Sequence, residues 1–392
     1  MLLQKIKDLA QQNEDKFIAI RRHIHANPEL SFQEVKTSAF IQEQLRSFDI
    51  PSRPIGKTGV VAILEGKNPA KKIIALRADM DALPILEANE VEYKSSVEGV
   101  MHACGHDVHT TCLLGAAYIL QHLKDEWEGT VKLIFQPGEE KNPGGASVLI
   151  KEGVLQNPAP QGIIGLHVHP GLPTGEFSFR KGVAMASADE IYITIKSKGG
   201  HAAAPQLTAD TILIASQLIV SLQQIISRNC DPFTPSVLSI CSIEGGNTTN
   251  VIPSEVKLMG TFRAMDENWR FKAHELIRKQ TIGLVEAMGA EAEIKIDLGY
   301  PVVKNDAPLT EKATQLAIQF AGPENVSETE MRMGAEDFGF YAQVIPGCFF
   351  RLGVRDEANN IIHNVHTPNF DVNEKAIVLG AGMMAWLGAK VG

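Results

Sequence analysis

Short apolar segments alternate with helical segments along the first part of the chain, and this alternation constrains the fold more than any other feature of the sequence. Four such apolar runs start at Gly59, Lys71, Thr130 and Gly162. Helices are predicted up to an Asn27-Pro28 stop, from about Ser31 to Phe48, and from near Asp107 and Gly145. Strands that alternate with helices form parallel sheets covered by helices. The sequence therefore predicts an α/β domain with a mainly parallel sheet sandwiched by helices.

The order of elements changes between residues 187 and 298. There the pattern predicts strand, helix, strand, strand, helix and strand, which is the split βαβ order of a ferredoxin-like α+β domain. A chain of 392 residues also exceeds the usual length of one domain. We therefore expect residues 187–298 to be an inserted domain, and residues 1–186 and 299–392 to form the two parts of the first domain.

Composition excludes several classes of protein. The formal net charge of -9 argues against binding to nucleic acid, which needs a basic surface. No apolar run predicts a membrane span, and charged residues interrupt the N-terminal stretch where a signal peptide would need an apolar core. The acidic net charge instead favours a small substrate. The cysteines are scattered, odd in number and unlike a disulfide framework, which suits a reducing compartment and predicts a cytoplasmic protein. They are Cys104, Cys112, Cys230, Cys241 and Cys348.

The strongest local signal is the segment MHACGHDVHTT, which begins at Met101. Cys104 and His106 lie two residues apart, and His109 follows, just before an apolar helix. Thiolate and imidazole groups suit zinc and other transition metals. The segment alone leaves ordinary loop and core packing open, and Cys112 inside the helix is expected to be a small buried residue.

Two further segments carry possible ligands at the ends of predicted strands. LIFQPGEE ends in the adjacent carboxylates Glu139 and Glu140, and GIIGLHVHP ends in His167 and His169. Ligands of open α/β sheets bind at the carboxyl ends of the strands. Three such segments converging at one edge indicate a metal centre, although spacing does not choose among the histidines.

At this point the residues resemble a known group, the di-metal peptidase family of aminoacylase and carboxypeptidase G, in its hippurate hydrolase and auxin-conjugate hydrolase branch. The resemblance covers nearly the whole chain, because the family's motifs occur in the family's order. They are RRHIHANPELSFQE, LRADMDALP, MHACGHDVHT, QPGEE, LHVHP, GGHAAAP, NVIP, GTFR, GAEDF and HTPNF.

The resemblance implies two divalent metal ions per chain, with zinc or manganese expected and cobalt or nickel permitted. Cys104 would bridge the two ions, His106 and His167 would complete one site, and Glu140 and His366 would complete the other. Glu139 would be the general base that takes a proton from water and passes it to the departing amine.

The same resemblance assigns the inserted domain to a lid that also forms a possible homodimer interface, and the rest of the chain to a catalytic domain of the di-zinc exopeptidase type. His201 in SKGGHAAAP would stabilise the oxyanion of the tetrahedral intermediate. Asn250 and Arg263 would hold the carboxylate of the substrate, for which the planar guanidinium is suited.

The sequence does not assign a role to several other polar residues near these motifs. Asp79 stands where the wider family has a metal-binding histidine and is expected not to be a ligand. Asp81 is a possible support for a ligand or for the base. His109, His169 and His363 compete with the chosen ligands by spacing alone, and His23 and His25 are expected to pack in the core.

Three functions therefore stand side by side. The first is a metal-dependent amidohydrolase that cleaves N-acetyl, N-benzoyl or similar amino acids to a carboxylate and a free amino acid. The second is a dipeptidase or carboxypeptidase that uses the same centre on small peptides. The third is a catalytically silent metal-binding homologue, against which Glu139 argues because such a protein needs no base.

Overall fold

The structure is a computed structural model that describes residues 1–392. Its α-helices are α1 Leu2–Gln12, α2 Glu14–Ala26, α3 Val35–Ser47, α4 His106–His122, α5 Gly145–Lys151, α6 Thr211–Gln224, α7 Glu267–Ala287, α8 Ala307–Ala321, α9 Phe338–Ala342 and α10 Lys375–Lys390. Its strands are β1 Ser52–Ile55, β2 Gly59–Glu65, β3 Ile73–Asp79, β4 Thr130–Gln136, β5 Gly162–Pro173, β6 Phe177–Phe179, β7 Gly182–Met185, β8 Asp189–Lys196, β9 Gly200–His201, β10 Ser236–Glu244, β11 Val251–Ile252, β12 Glu255–Ala264, β13 Glu291–Leu298, β14 Val303–Asn305, β15 Val326–Glu328 and β16 Gly347–Arg355.

The chain divides into two compact units. The first unit comprises Met1–Ala184, Lys304–Glu330 and Asp337–Gly392. The second unit comprises Met185–Val303 and Met331–Glu336. Each unit has its own hydrophobic core.

The first unit is built on an eight-stranded sheet in the order β1-β2-β4-β3-β5-β16-β6-β15. The central strands β4, β3, β5 and β16 pair in parallel, whereas β1 and β2 add an antiparallel edge. β4 is buried along its whole length, as expected for a strand covered on both faces. The prediction of a mainly parallel sheet flanked by helices is confirmed.

Small residues let two buried helices approach closely over this sheet. Nearly all of α4 and α10 is buried. A methyl group added to Gly115 of α4 would lie 2.7 Å from the side chain of Ala381 in α10, and one added to Gly380 would lie 2.5 Å from Cys112 Sγ. The close contact fixes α4, whose first residue is the candidate ligand His106. Cys112 is buried as expected.

The second unit has an antiparallel sheet in the order β10-β12-β8-β13. Its core includes Ile191, Ile193 and Ile195 of β8, where burial alternates along the strand as it does when one sheet face is covered. Helices α6 and α7 contribute Leu218 and Ile277 to the same core. The observed order β8, α6, β10, β12, α7, β13 is the predicted order of a ferredoxin-like domain.

One helical stretch, Thr211–Asn229, is long and apolar enough to cross a bilayer by length and composition, with a mean hydropathy of 1.2. It consists of α6 and the π-helical turn that follows. Its residues Ile214, Leu218 and Leu222 are buried in the core of the second unit. Packing in this core therefore explains part of the apolar character of the stretch, of which 33% is buried.

Several element boundaries differ from those predicted. The first helix is interrupted at Asn13, whose side-chain amide donates to the carbonyl of Leu9, and α3 begins at Val35 rather than near Ser31. The strand predicted over GIIGLHVHP, with His167 and His169 at its end, extends further than predicted. β5 continues to Pro173 because β16 pairs with it as far as Pro173, with a register shift after His169, although the pairing of β5 with β3 stops at Gly165.

A buried ion pair supports the second unit. Both carboxylate oxygens of Asp189 accept from the Arg270 guanidinium, at 2.5 and 2.8 Å, and His274 Nε2 lies 2.9 Å away. Burial alone would raise the pKa of Asp189, but the hydrogen bonds from Arg270 and His274 hold the pKa below the ordinary 3.8. The pair joins β8 to α7.

We expect the Asp189→Ala substitution to lower the free energy of unfolding by about 3–5 kcal/mol, because it removes the acceptor of Arg270 Nε and Nη2 and leaves the buried guanidinium only its bonds to Glu267 and to the carbonyl of Gly299. Urea denaturation monitored by circular dichroism measures the change. The stabilisation should be present above pH 3.8 and should be lost as the pH falls through the lower folded-state pKa. Asp297→Ala breaks the exposed pair with Lys295 and is the matched control, for which the urea midpoint should not move. Equal midpoints for both variants would contradict the prediction.

Candidate metal centre

Adjacent strands of the first unit place polar residues at one edge of the sheet. β3 ends at Asp79 with Asp81 just beyond, and β4 ends three residues before Glu139. His167 lies on β5, two residues past the last pairing of β5 with β3. Parallel pairing of β3 with β4 and β5 aligns these ends. Residues distant in sequence therefore meet at this edge.

Cys104, His106 and His167 form a first group of possible metal ligands. One ligand atom from each lies within 4.8 Å of the others, and all three residues are buried. His167 Nδ1 lies 2.7 Å from the carbonyl of Val168 and donates to it, so Nε2 carries the lone pair, 3.5 Å from Cys104 Sγ. Burial, together with His109 and Arg351, lowers the pKa of His167 well below its usual range, which keeps the imidazole neutral.

The orientation of His106 is also suited to metal binding. His106 Nδ1 lies 3.3 Å from Asp81 Oδ1, whereas Nε2 is buried without a hydrogen-bond partner. A buried polar atom without a partner is unfavourable unless another group, such as a cation, satisfies it. A metal-bound histidine characteristically donates its other ring nitrogen to a carboxylate, as His106 can do to Asp81.

Cys104, Glu140 and His366 form a second group within the same 4.8 Å limit. His366 Nε2 lies 3.1 Å from Glu140 Oε1. The backbone of His366 has φ +63° and its N–H donates to the carbonyl of Ala103 at 2.7 Å, which ties the C-terminal motif to the cysteine segment. Hydrogen bonds to Cys104 and Glu140 raise the pKa of His366 to about 10.

Both groups share the Cys104 sulfur. Burial and the nearby Glu140 raise the pKa of this thiol, so its thiolate needs a positive partner. Thiolate, imidazole and carboxylate together are a donor set for transition metals. The residues therefore fit two cations that share one sulfur ligand, which is the set that the resemblance implied.

Glu139 lies beside both groups. It is buried, and one of its oxygens falls within 4.8 Å of ligand atoms of His106 and Glu140. Asp81 accepts hydrogen bonds from the backbone N–H groups of Glu139 and Glu140, each at 3.0 Å, and from the Ser31 hydroxyl at 2.6 Å. Asp81 thus contacts the first ligand group and the turn that carries Glu139.

His109 is already engaged at both ring nitrogens. Nδ1 lies 2.6 Å from Asp79 Oδ1, and Nε2 accepts from the backbone N–H of Val168 at 2.9 Å. Asp79 also accepts from Arg77 at 2.6 Å. Burial alone would raise the pKa of Asp79, but the neighbouring His106, His109 and Arg77 hold that pKa well below the usual range. In this geometry His109 holds the backbone beside His167 and has no lone pair left for a metal.

The other competing histidines lie in different surroundings. His169 Nδ1 accepts from the backbone N–H of Gly171 at 3.2 Å. His363 is exposed in the segment after β16. His23 is exposed, so the prediction that it packs in the core is wrong, although its ring stacks on Phe40 with ring centroids 4.0 Å apart.

The second unit brings two of its three predicted substrate-binding residues together. β9 pairs with β11 so that His201 faces Val251, and the N–H of Ala202 donates to the carbonyl of Asn250. His201 is exposed, and its Nδ1 accepts from the N–H of Ala203 at 3.0 Å. Arg263 lies on β12 of the larger sheet, half-buried, and its Nη1 donates to the Thr261 hydroxyl at 2.9 Å.

Sequence reasoning missed a buried network behind His106. Asp107, the next residue, accepts from Arg21 Nε at 2.7 Å and lies 2.8 Å from His25 Nδ1. His25 was expected only to pack, yet it also reaches Glu87 at 3.2 Å. The segment RRHIHANPELSFQE places Arg21 and His25 on one face of α2, which indicates a shared partner. That partner, Asp107, is 82 or more residues away in the sequence, so local pattern could not identify it.

We expect the His109→Leu substitution to weaken metal affinity by about 10- to 100-fold without removing a binding site, because groups that support ligands have effects of this size. Competition with a chelator gives the affinity, and metal analysis at saturation gives the stoichiometry. His122→Gln, on the exposed end of α4, is the matched control and should bind as the unaltered protein does. Loss of one metal equivalent in His109→Leu would show that His109 is a ligand after all.

Comparison with known proteins identifies the family of this chain. The pattern of peptidase family M20/M25/M40 matches residues 75–387. "Thermostable carboxypeptidase 2" of Saccharolobus solfataricus is 41% identical over 99% of this chain and 98% of its own length. "N-acyl-L-amino acid amidohydrolase" of Geobacillus stearothermophilus is 44% identical over 78% of this chain and 82% of its own. The crystal structure of the Bacillus subtilis YXEP protein, described as a dinuclear metal-binding peptidase from the M20 family, matches 97% of this chain and 98% of its own, with 34% identity and a TM-score of 0.84. The resemblance inferred from the motifs is confirmed, and the chain belongs to peptidase family M20/M25/M40.

Proposed function

We propose that this protein is a metal-dependent amidohydrolase that cleaves N-acyl amino acids to a carboxylate and a free amino acid. The observation that carries the proposal is the pair of ligand groups that share Cys104, with the carboxylate of Glu139 beside them. The relative named N-acyl-L-amino acid amidohydrolase supports this class of substrate. A net charge of -9 suits a small substrate better than a nucleic acid.

The proposed ligands would hold two divalent ions, with Cys104 between them, His106 and His167 on one side, and Glu140 and His366 on the other. When bound, such ions polarise a carbonyl oxygen and lower the pKa of water. Zinc and manganese are the expected ions, and cobalt and nickel suit the same donors. The dinuclear metal binding described for the 34% identical YXEP protein supports the number of ions.

Glu139 supplies the proton transfers. Its carboxylate takes a proton from the attacking water as the water oxygen bonds to the amide carbon, and it returns that proton to the nitrogen as the C–N bond breaks. Burial keeps Glu139 away from bulk water, and Asp81 fixes the backbone on which it sits. The products are one carboxylate and one free amine.

The second unit is proposed as the lid that binds the substrate. His201, exposed and next to Asn250 on the β9–β11 ribbon, would donate a hydrogen bond to the oxyanion. Arg263 would hold the substrate carboxylate through its planar fork. Residues 187–298 would form this domain, and residues 1–186 with 299–392 the catalytic domain. The scattered thiols support residence in the cytoplasm.

A second candidate function is cleavage of small peptides. The 41% identical relative named carboxypeptidase favours it, and the same centre can cut a peptide bond. A silent metal-binding role is the third candidate, but it gives no reason for a buried carboxylate beside the ligand groups. Substrates with and without a free α-amino group separate the first two candidates.

We expect the metal-loaded protein to release amine from a pooled panel of N-acetyl and N-benzoyl amino acids, and Glu139→Gln to lower kcat by at least about 100-fold, since removal of general acid–base catalysis typically costs 10²–10⁴. Glutamine keeps the size of the side chain but cannot accept the proton. Metal analysis should show unaltered metal content in the variant.

Chelator treatment, followed by zinc or manganese in separate samples, completes this experiment. Release that stops with chelator and returns with metal identifies the amidohydrolase, and the consumed panel members identify the acyl group and amino acid. Full activity of Glu139→Gln would overturn the role of Glu139. No release from the panel, combined with cleavage of dipeptides, would select the peptidase function.

We also propose a homodimer formed through the second unit. Helix α6 exposes Leu213 at 50% and Val220 at 74%, and the sheet-edge strand β10 exposes Val237 and Ile243. Exposed apolar side chains and an unpaired strand edge are features of surfaces that associate.

We expect the Leu213→Glu and Val220→Glu double variant to run as a single chain of 42.7 kDa, and the unaltered protein to run at twice that mass. The carboxylates would disfavour burial of this surface. Light scattering after gel filtration gives the masses. Val344→Glu, an equal change at an exposed valine of the first unit, is the control and should leave the dimer intact. A monomeric unaltered protein would contradict the proposal.

A further inference from the structure

Three successive backbone N–H groups in the turn that carries Glu139 each donate to a carboxylate. Gly138 N–H donates to Glu34 Oε1 at 2.8 Å. The N–H groups of Glu139 and Glu140 donate to the two oxygens of Asp81, each at 3.0 Å. Such bonds to a charged acceptor are roughly twice as strong as neutral ones. Two carboxylates, from Glu34 and Asp81, therefore fix this turn.

The two carboxylates differ in what else they contact. Asp81 also lies 3.3 Å from His106 Nδ1, so a change at Asp81 would disturb a proposed ligand and the turn together. Glu34 accepts from the N–H of Phe32 at 2.8 Å and from the Thr58 hydroxyl at 2.7 Å. Every group bonded to Glu34 is a donor, so its buried carboxylate is satisfied without a metal or a ligand residue.

Phe32 adds a steric contact at the same point. Its backbone has φ +64°, and its ring lies against Gly138, where an added methyl group would come within 2.5 Å of ring atoms. Gly138 itself has φ +60°, which glycine adopts without strain. The segment from Phe32 to Glu34 and the turn at Gly138 therefore interlock through one ring contact and one charged hydrogen bond.

The far side of the turn is fixed as well. The carbonyl of Gly138 accepts from Gly145 N–H at 2.9 Å, and a methyl group on Gly145 would lie 1.6 Å from the carbonyl oxygen of Pro137. This close approach leaves the turn little freedom where α5 begins. Glu34 then provides the bond that holds the opposite side of Gly138, one residue before Glu139.

We propose that Glu34 is a positioning residue that sets the location of the Glu139 carboxylate through the Gly138 backbone. It does so without contributing to metal binding. The inference rests on the proposed role of Glu139 as general base. A displacement of about 1 Å in a catalytic group can cost about 100-fold in rate, so a single backbone bond at this point has a large effect on turnover.

The test compares four variants of the metal-loaded chain of 392 residues. Glu34→Ala removes both acceptor oxygens and should lower kcat by about 10- to 100-fold, with KM within about twofold and metal content unaltered. Glu34→Gln keeps a carbonyl oxygen for the N–H groups of Phe32 and Gly138 and an amide that can donate to Thr58. It should restore kcat to within about threefold of the unaltered protein, as expected of a hydrogen-bonding role.

Glu34→Asp covers the case in which Glu34→Ala does not fold. It keeps the charge but is one methylene shorter, so it should lower kcat between the other two variants. Glu29→Ala is the matched control. Glu29 accepts from the N–H groups of Lys36 and Thr37 at the start of α3, as Glu34 accepts from Gly138, but it does not contact the turn. It should leave kcat unaltered even where it lowers thermal stability.

Hydrogen exchange supplies a readout that does not depend on activity. In Glu34→Ala and Glu34→Asp the amide of Gly138 should exchange at least about tenfold faster, because it loses its acceptor. In Glu34→Gln and Glu29→Ala its exchange should match that of the unaltered protein. Peptides that cover residues 133–145 report this change.

Each outcome supports or overturns the inference. Unaltered kcat in Glu34→Ala, in a preparation whose Glu139→Gln counterpart is inactive, overturns the role of Glu34 alone. Loss of metal together with kcat also overturns it, because Glu34 would then support the ligands. Full activity of Glu139→Gln overturns the proposed base, and the inference with it. Loss of kcat with metal retained, fast Gly138 exchange and recovery in Glu34→Gln supports the inference.

Discussion

The buried sulfur of Cys104 is the group around which the rest of the centre is arranged. Burial raises the pKa of its thiol, and the nearby Glu140 raises it further, so the thiolate is stable there only with positive charge at hand. Both candidate ligand groups include this sulfur. The site places one thiolate and several carboxylates at a buried edge of the sheet. Hydrogen bonds alone would leave this negative charge uncompensated, whereas a pair of cations would neutralise it.

Hydrogen bonds at Nδ1 of the two candidate ligand histidines leave Nε2 of each ring as the atom that can bind a metal ion. The bond from His167 to the carbonyl of Val168 leaves Nε2 as the acceptor, and Asp81 beside His106 Nδ1 does the same for the other imidazole. The same logic argues against His109 as a ligand, because Asp79 and Val168 engage both of its nitrogens in this geometry. Supporting groups of this kind are what hold a ligand set in one geometry before any metal arrives.

Much of the fold could be predicted from the sequence, whereas the supporting contacts could not. The alternation of strands and helices gave the mainly parallel sheet and the order of elements in the second unit. The helix from Ser31 and the end of the His167 strand were misplaced, because Glu29 receives the first amides of α3 and β16 extends β5. Both causes are contacts between segments far apart in the chain, which local pattern does not contain.

The sequence by itself determined which chemical groups can reach the metal centre. Thiol, imidazole and carboxylate side chains lie at or near the ends of strands, and the hydrophobic pattern of the sequence predicts those strands. It also determined the family, through motifs that keep their order along the chain. Only the tertiary structure decided which of the competing histidines has a free lone pair and which carboxylates hold the turn of Glu139. Those choices depend on two hydrogen bonds between residues that are far apart in sequence. Glu34 and Gly138 are separated by 104 residues, and His109 and Val168 by 59. A hydrogen bond acts only over a few ångströms of space, so the folded chain has to bring such residues together first.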